Sequence, residues 1–192
     1  MVYQNLLADH YVEGDLPISL GLVVDTVEAS GAANSSKVAG RRSRWEAEHN
    51  KIVENIKAAQ AAAKTKSPID PVWLCAALNE VMPKDAIYVE ETTSHRGAIN
   101  RHVDWDDPHR YLHPSGGLGQ GLGVALGVKL AKPDQPVIAL MGDGGFLYNP
   151  VTQSFGVAGE ANLPFMTVIF NNGNYEAMRG NHLHYYPDGD AA

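Results

Sequence analysis

From Pro68 onward, short apolar runs alternate with amphipathic stretches. Residues 69–81 (IDPVWLCAALNEV) read as an amphipathic helix, with Asp70-Pro71 as its start signal. Ala86–Val89 reads as a buried strand, Leu118–Ala131 as a helix, and Val137–Met141 as a second strand. Pro150–Ala161 reads as a helix and Phe165–Phe170 as a third strand. Alternation at this spacing predicts an α/β fold, a doubly wound parallel sheet. Gly119, Gly123 and Gly127 fall four apart and predict a glycine stripe on one helix face. Such a stripe is useful only where another backbone packs close.

The upstream pattern differs. Pro17–Val24 is a short apolar run that reads as a strand with too few neighbours to form a domain. Residues 30–42 (SGAANSSKVAGRR) are small and polar, a linker composition. Residues 43–64, rich in Ala, Glu and Lys, predict one exposed helix that Lys66-Ser67-Pro68 stops.

Each predicted strand runs into a polar cluster: Glu90-Glu91-Thr92-Thr93-Ser94, Gly142-Asp143-Gly144-Gly145, and Asn171-Asn172-Gly173-Asn174. In an open parallel sheet the ligand crevice lies beyond the carboxyl ends of the strands, so the three clusters should meet at one edge. Asp143 offers a carboxylate between glycines, and Asn172 an amide oxygen. These hard donors suit Mg²⁺ or Ca²⁺ rather than zinc, and the rest of an octahedral shell would go to water and a phosphate-bearing ligand. Hydroxyls at Thr92, Thr93 and Ser94 and free helix-start N–H groups could hold that phosphate. Singly, each cluster is an ordinary turn; three of them at strand ends favour a site. The run Ser115-Gly116-Gly117-Leu118-Gly119-Gln120-Gly121 does not match the dinucleotide fingerprint and follows HRYLHPS rather than a predicted strand.

Composition narrows the partners. The 192 residues are enough for one ordinary domain and some extra, and a hydrophobic fraction of 44% is normal for a globular core. Acids exceed bases by 22 to 15, a formal charge of -7 that argues against nucleic acid or an anionic membrane. No apolar run predicts a membrane span, and the first residues lack signal-peptide character. Cys75 is the single cysteine, which excludes an internal disulfide and makes a cytoplasmic setting the default reading.

Gly142-Asp143-Gly144, the 26 residues 145–170, and then Asn171-Asn172 resemble the signature of thiamine diphosphate (ThDP) enzymes. Gly116-Gly117-Leu118-Gly119 resembles the family's pyrimidine-side loop. Asn172–Arg179 looks most like the benzoylformate decarboxylase and acetolactate synthase branch. The resemblance covers roughly residues 68–192 and implies a ThDP-binding fold. It assigns residues 1–30 to the tail of a middle domain and 31–67 to a helical linker.

The resemblance also implies roles. Asp143 and Asn172 would ligate Mg²⁺ by side chain, and Asn174 by its main-chain oxygen. Gly142, Gly144 and Gly145 would bind cofactor, the last two through their backbones against the diphosphate; the family often has Ser where Gly145 stands. Thr92 and Thr93 would contact the cofactor from the first strand. Leu118 would wedge ThDP into a bent form, and the Gly116 carbonyl would accept from its pyrimidine amine. The cofactor would then attack a 2-oxo acid and hold the electrons released with CO₂. Ala177 and Met178 would wall the substrate pocket, with Glu176 rotated about 200° away along the helix.

Two family parts have no counterpart: the upstream pyrimidine-binding domain with its activating glutamate, and the final strands after Asp190-Ala191-Ala192. The sequence therefore predicts a truncated domain, inactive alone and completed by another chain or segment in a homo-oligomer, a dimer or tetramer. Glu90 and Glu91 are not substitutes for the missing glutamate. A non-catalytic cofactor-binding or assembly module is the alternative. A plain Mg²⁺–phosphate hydrolase would need a general base that is not apparent. His95 is a candidate to contact cofactor or substrate. His182 and His184 either line a pocket or face solvent, while His109, His113 and Cys75 read as structural.

Overall fold

The computed structural model describes residues 9–114 and 116–189. The first eight residues of the 1–30 segment, Ser115 of the glycine run, and the terminal Asp190-Ala191-Ala192 lie outside the described residues. The chain divides into two units between Glu54 and Asn55.

In the first unit, the predicted strand at Pro17–Val24 is instead helix α1, Leu16–Ala29. A short apolar run without alternation does not distinguish strand from helix. The start signal decides it: Asp15 caps the helix, accepting from the Ile18 N–H at 3.0 Å, and Pro17 sits in the first turn. Helix α2 spans Ser36–Ala63 and crosses the unit boundary. The 30–42 stretch is therefore a short 3-10 turn, Ala32–Asn34, followed by helix from Ser36. Its lysine and arginines are acceptable helix formers and outweigh Gly40.

The second unit holds a four-stranded, wholly parallel sheet in the order β2-β1-β3-β4. The strands are β1 (Ile87–Glu91), β2 (Tyr111–Leu112), β3 (Val137–Gly142) and β4 (Met166–Phe170). Helices α3 (Pro71–Val81), α4 (Arg96–His102), α5 (Gly121–Ala131), α6 (Asp143–Tyr148), α7 (Val151–Glu160) and α8 (Glu176–Tyr185) accompany it. The α/β parallel architecture is the expected one.

Successive side chains of a strand point to opposite faces, and both faces of β1 and β3 are covered. Tyr88, Ile138, Leu140 and Phe170 pack with Cys75 and Leu78 of α3 and Ile99 of α4. Val89, Val137, Ala139 and Met141 pack with Leu122 and Ala125 of α5. Burial pushes the Cys75 thiol up to about 12, so it is an inert core residue.

Two boundaries differ from expectation in ways that matter. β1 continues through Glu90 and Glu91, both buried, because each carboxylate is hydrogen-bonded internally. Helix α5 starts at Gly121, leaving Leu118 and Gly119 in the preceding loop. No close-packed glycine stripe exists: a Cβ on Gly123 or Gly127 would meet nothing within 4 Å. The segment before the glycine run does hold a strand, since Tyr111 pairs with Tyr88. The glycine pattern itself still departs from the dinucleotide fingerprint.

Asp70 starts α3 as expected. Its carboxylate accepts from the Val72 N–H at 2.9 Å and from the Lys66 ammonium at 2.7 Å. Lys66 first, then the Val72 N–H, hold this carboxyl below its ordinary pKa. Asp70→Ala is expected to cost about 1 kcal/mol of stability in urea unfolding at pH 7. A depressed carboxyl pKa stabilises above the unfolded value and loses that stabilisation as pH falls through the folded one. The difference between wild type and variant should therefore close below about pH 4. A gap unchanged at acid pH would mean that the charged form contributes nothing.

Candidate functional site

The register of the sheet places the site. Glu91 of β1 aligns with Met141 of β3, and Gly142 of β3 aligns with Phe170 of β4. The segments after these strands thus leave the sheet at one edge. In the order β2-β1-β3-β4 the chain reverses direction between β1 and β3, which is where an open parallel sheet leaves a crevice.

A small open cleft of about 80 Å³ lies there. Glu91, Thr93, Ser94 and His95 reach it from β1, Gly142 to Gly145 from β3, and Asn172 and Asn174 from β4. Leu118 reaches it from the glycine loop, half exposed. Asp143, the first residue of α6, accepts from the Gly173 N–H at 2.9 Å, joining the β3 and β4 loops. Asn172 Oδ1 accepts from the Asn174 N–H at 3.0 Å. Gly173 adopts φ +69, a conformation that favours glycine.

The glycines of the β3 loop are closely approached. A Cβ on Gly144 would lie 2.9 Å from the Tyr175 ring, and one on Gly145 would lie 3.2 Å from the Glu91 carbonyl oxygen. A serine at position 145 would need the Glu91 carbonyl to give by a few tenths of an ångström.

Thr92 is a correction. It does not face the cleft; it is buried, and its hydroxyl and N–H both donate to Glu90. Thr93 and Ser94 are the hydroxyls that line the cleft. Gly116, at φ +96, is not among the lining residues. Glu176 does line the cleft, together with Ala177 and Met178. The cleft meets α8 at its N-terminal end, so consecutive first-turn residues surround it whatever their angle about the axis. Glu176 also pairs with Arg179 at 3.5 Å.

Burial lowers the pKa of His95 below the ordinary histidine value, and the nearby Asp143 charge opposes that shift. His182 lines an adjoining groove with Tyr175, Met178 and Tyr185, and His184 does not. His113 holds Glu90: its Nδ1 lies 2.9 Å from the Glu90 main-chain oxygen. Arg96 and Tyr111 also donate to the Glu90 carboxylate, at 3.0 and 2.9 Å. His109 is exposed and bonds only locally to Asp107.

Among the described residues, no three His, Cys, Asp or Glu side chains converge as a metal cage. A cation in the cleft would rest on Asp143 with amide and main-chain oxygens, and would need water and phosphate oxygens to complete its shell. The donor set fits a magnesium–diphosphate unit better than a bare ion.

Residues 91–191 match the family model described as the thiamine pyrophosphate enzyme, C-terminal TPP binding domain. The chain belongs to this family. It is 36% identical over 120 residues to benzoylformate decarboxylase of Pseudomonas aeruginosa, covering 62% of this chain and 22% of that protein. It is 30% identical over 171 residues to the mitochondrial acetolactate synthase catalytic subunit of Saccharomyces cerevisiae, covering 81% of this chain and 24% of that protein. The solved 4-hydroxybenzoylformate decarboxylase of Rhodococcus jostii superposes with a TM-score of 0.59 at 37% identity, covering 65% of this chain and 24% of that one. The chain thus spans less than a third of the length of these relatives. Among the described residues, no helix is long and apolar enough to cross a membrane.

Sequence reasoning gave no role to Asn149 or Tyr175, placed Glu91 only within the first strand-end cluster, and turned Glu176 away from the cleft that it in fact lines. Glu90-Glu91 did carry a signal: two adjacent acids closing an apolar run must find internal partners if the strand continues through them. Asn149 carried none.

Proposed function

We propose that this chain is the diphosphate- and Mg²⁺-binding part of a ThDP-dependent 2-oxo acid decarboxylase or carboligase. The observation that carries the reading is the meeting of three strand-end segments in one cleft at the β1–β3 reversal. Asp143 and the Asn172 side chain, with the Asn174 main-chain oxygen, hold the metal. The Gly144 and Gly145 backbones and the Thr93 and Ser94 hydroxyls hold the diphosphate. Leu118, which lines the cleft from the glycine loop, would support the cofactor's ring-bearing part, and the Gly116 carbonyl, outside the cleft lining, would accept from its amine where the completing domain closes over it. No lysine or arginine lines the cleft among the described residues, so the metal must supply the positive charge that a diphosphate needs. When bound, ThDP supplies the nucleophilic carbon and the electron sink.

Residues 68–192 form the cofactor domain in this reading, with 1–30 a middle-domain tail and 31–67 a linker. A pyrimidine-binding domain, from another chain or segment, completes the site in a homo-oligomer. Calorimetric titration with ThDP tests the proposal: saturable binding in Mg²⁺ and none in EDTA is expected. No binding in Mg²⁺ of either ThDP or pyrophosphate would overturn it.

Met178 is 65% exposed at the cleft, positioned to meet substrate rather than core. In the completed enzyme, Met178→Ala should shift the kcat/KM ratio between small and aromatic 2-oxo acids while leaving ThDP affinity nearly unchanged. An unchanged ratio would remove Met178 from the substrate wall.

A further inference from the structure

Glu91 is a charged residue in an unusual place. It is 4% exposed on β1, and among the described residues no lysine, arginine or histidine ion-pairs with it. A buried carboxylate is costly unless hydrogen bonds replace its hydration. Here one carboxylate oxygen accepts from the Gly119 N–H. The other accepts from the Gly121 N–H at 2.5 Å and from Asn149 Nδ2 at 3.1 Å. Gly121 opens α5, so the negative charge also meets the positive end of that helix.

Asn149 completes the arrangement from the end of α6. It is 6% exposed and uses its whole amide. One hydrogen goes to Glu91, the other to the Gly145 carbonyl at 2.9 Å, and the oxygen accepts from the Leu122 N–H at 3.0 Å. The loop between β2 and α5 is thereby held from both sides. Neither glycine in it leaves room for a side chain: a Cβ on Gly119 would lie 2.4 Å from the Tyr148 carbonyl oxygen, and one on Gly121 2.7 Å from Glu91 Oε2. Leu118 sits in this loop and points into the cleft at half exposure.

We infer that Glu91, with Asn149, is a positioning device that fixes the glycine loop and, through it, Leu118 over the cleft. The inference rests on the functional reading above in one respect only: what Leu118 supports is the ring-bearing part of ThDP, as distinct from its diphosphate. A glutamine at position 91 fills the same space. It offers one acceptor oxygen where the carboxylate offers two, and it turns an N–H toward backbone N–H groups. It therefore cannot hold Gly119, Gly121 and Asn149 together.

The test compares Glu91→Gln with wild type in the full chain, by residue-level amide exchange and by two titrations. Exchange at Gly119 and Gly121 should rise roughly tenfold or more, the scale of losing a charge-assisted bond, while Val89 and Ala139 in the sheet keep wild-type rates. ThDP affinity in Mg²⁺ should fall roughly tenfold, with the affinity for inorganic pyrophosphate in Mg²⁺ falling clearly less. Asn149→Ala, which leaves the carboxylate in place, is the milder second variant and should speed exchange at Leu122 in a folded protein. Unchanged exchange at Gly119 and Gly121 overturns the inference. So does faster exchange throughout the sheet, which marks Glu91 as a general stabiliser, or an equal loss of ThDP and pyrophosphate. If wild type binds neither ligand, the cofactor reading fails, and the exchange rates still decide whether Glu91 fixes the loop.

Discussion

Asp143→Asn is expected to weaken Mg²⁺-dependent ThDP binding roughly a hundredfold, the scale of removing one partner from a desolvated charge pair. Asp143 is the single acid among the proposed metal ligands, and it sits where the β3 and β4 loops join. The amide has the same shape and keeps an oxygen for the Gly173 N–H, so the loop geometry should persist. What is lost is the negative charge, in a cleft where the cation would be bound mainly by oxygen dipoles. The unfolding midpoint should stay within the range of ordinary surface substitutions, about 0.5 kcal/mol. Calorimetry in Mg²⁺ reads the first effect and urea unfolding the second. Unchanged cofactor affinity would remove Asp143 from the metal shell, and a large loss of stability would mean that its role is structural.

Gly119→Ala is expected to destabilise the chain by about 2–4 kcal/mol, combining a left-handed backbone with overpacking. Gly119 adopts φ +87, and its Cβ would fall 2.4 Å from a backbone oxygen of Tyr148 that cannot rotate aside. Gly123, four residues on, is the control. It lies within α5 with open space at its Cβ position, so Gly123→Ala should be neutral or stabilising by about 0.5–1 kcal/mol. Denaturant midpoints of the two variants measure the contrast directly. Equal effects would show that the glycine loop is not pinned against the end of α6.

The contrast between these glycines also shows what periodicity could and could not reveal. Val137–Met141 and Phe165–Phe170 were legible as strands because each is a short apolar run between turn residues, and the topology rule then brought their ends together. Spacing alone made Gly119 look like a member of a helical stripe, yet the helix begins at Gly121 and the close approach is made by a loop. Pro17–Val24 misled because an apolar run carries no period; the capping pair Asp15 and Pro17 held the information that it is helical. The two acids after Val89 conceal that the first strand runs on to Glu91, and only that register separates Thr92 from Thr93 and Ser94. With Glu90 and Glu91 inside the strand, Thr92 turns inward and Thr93 faces the cleft. Helices α4 and α6, of seven and six residues, are too short to show a period. Glu91 and Asn149 are 58 positions apart, and only folding brings them together.

The central claim is that three distant segments form one metal-dependent cofactor cleft. Backbone amide shifts of the labelled chain on addition of ThDP, with Mg²⁺ and then with EDTA, test it most directly. The account predicts perturbations confined to residues 93–95, 116–122, 142–145 and 172–178, appearing in Mg²⁺ and reversed by EDTA. Perturbations outside these segments, or the same pattern without a divalent cation, would contradict it.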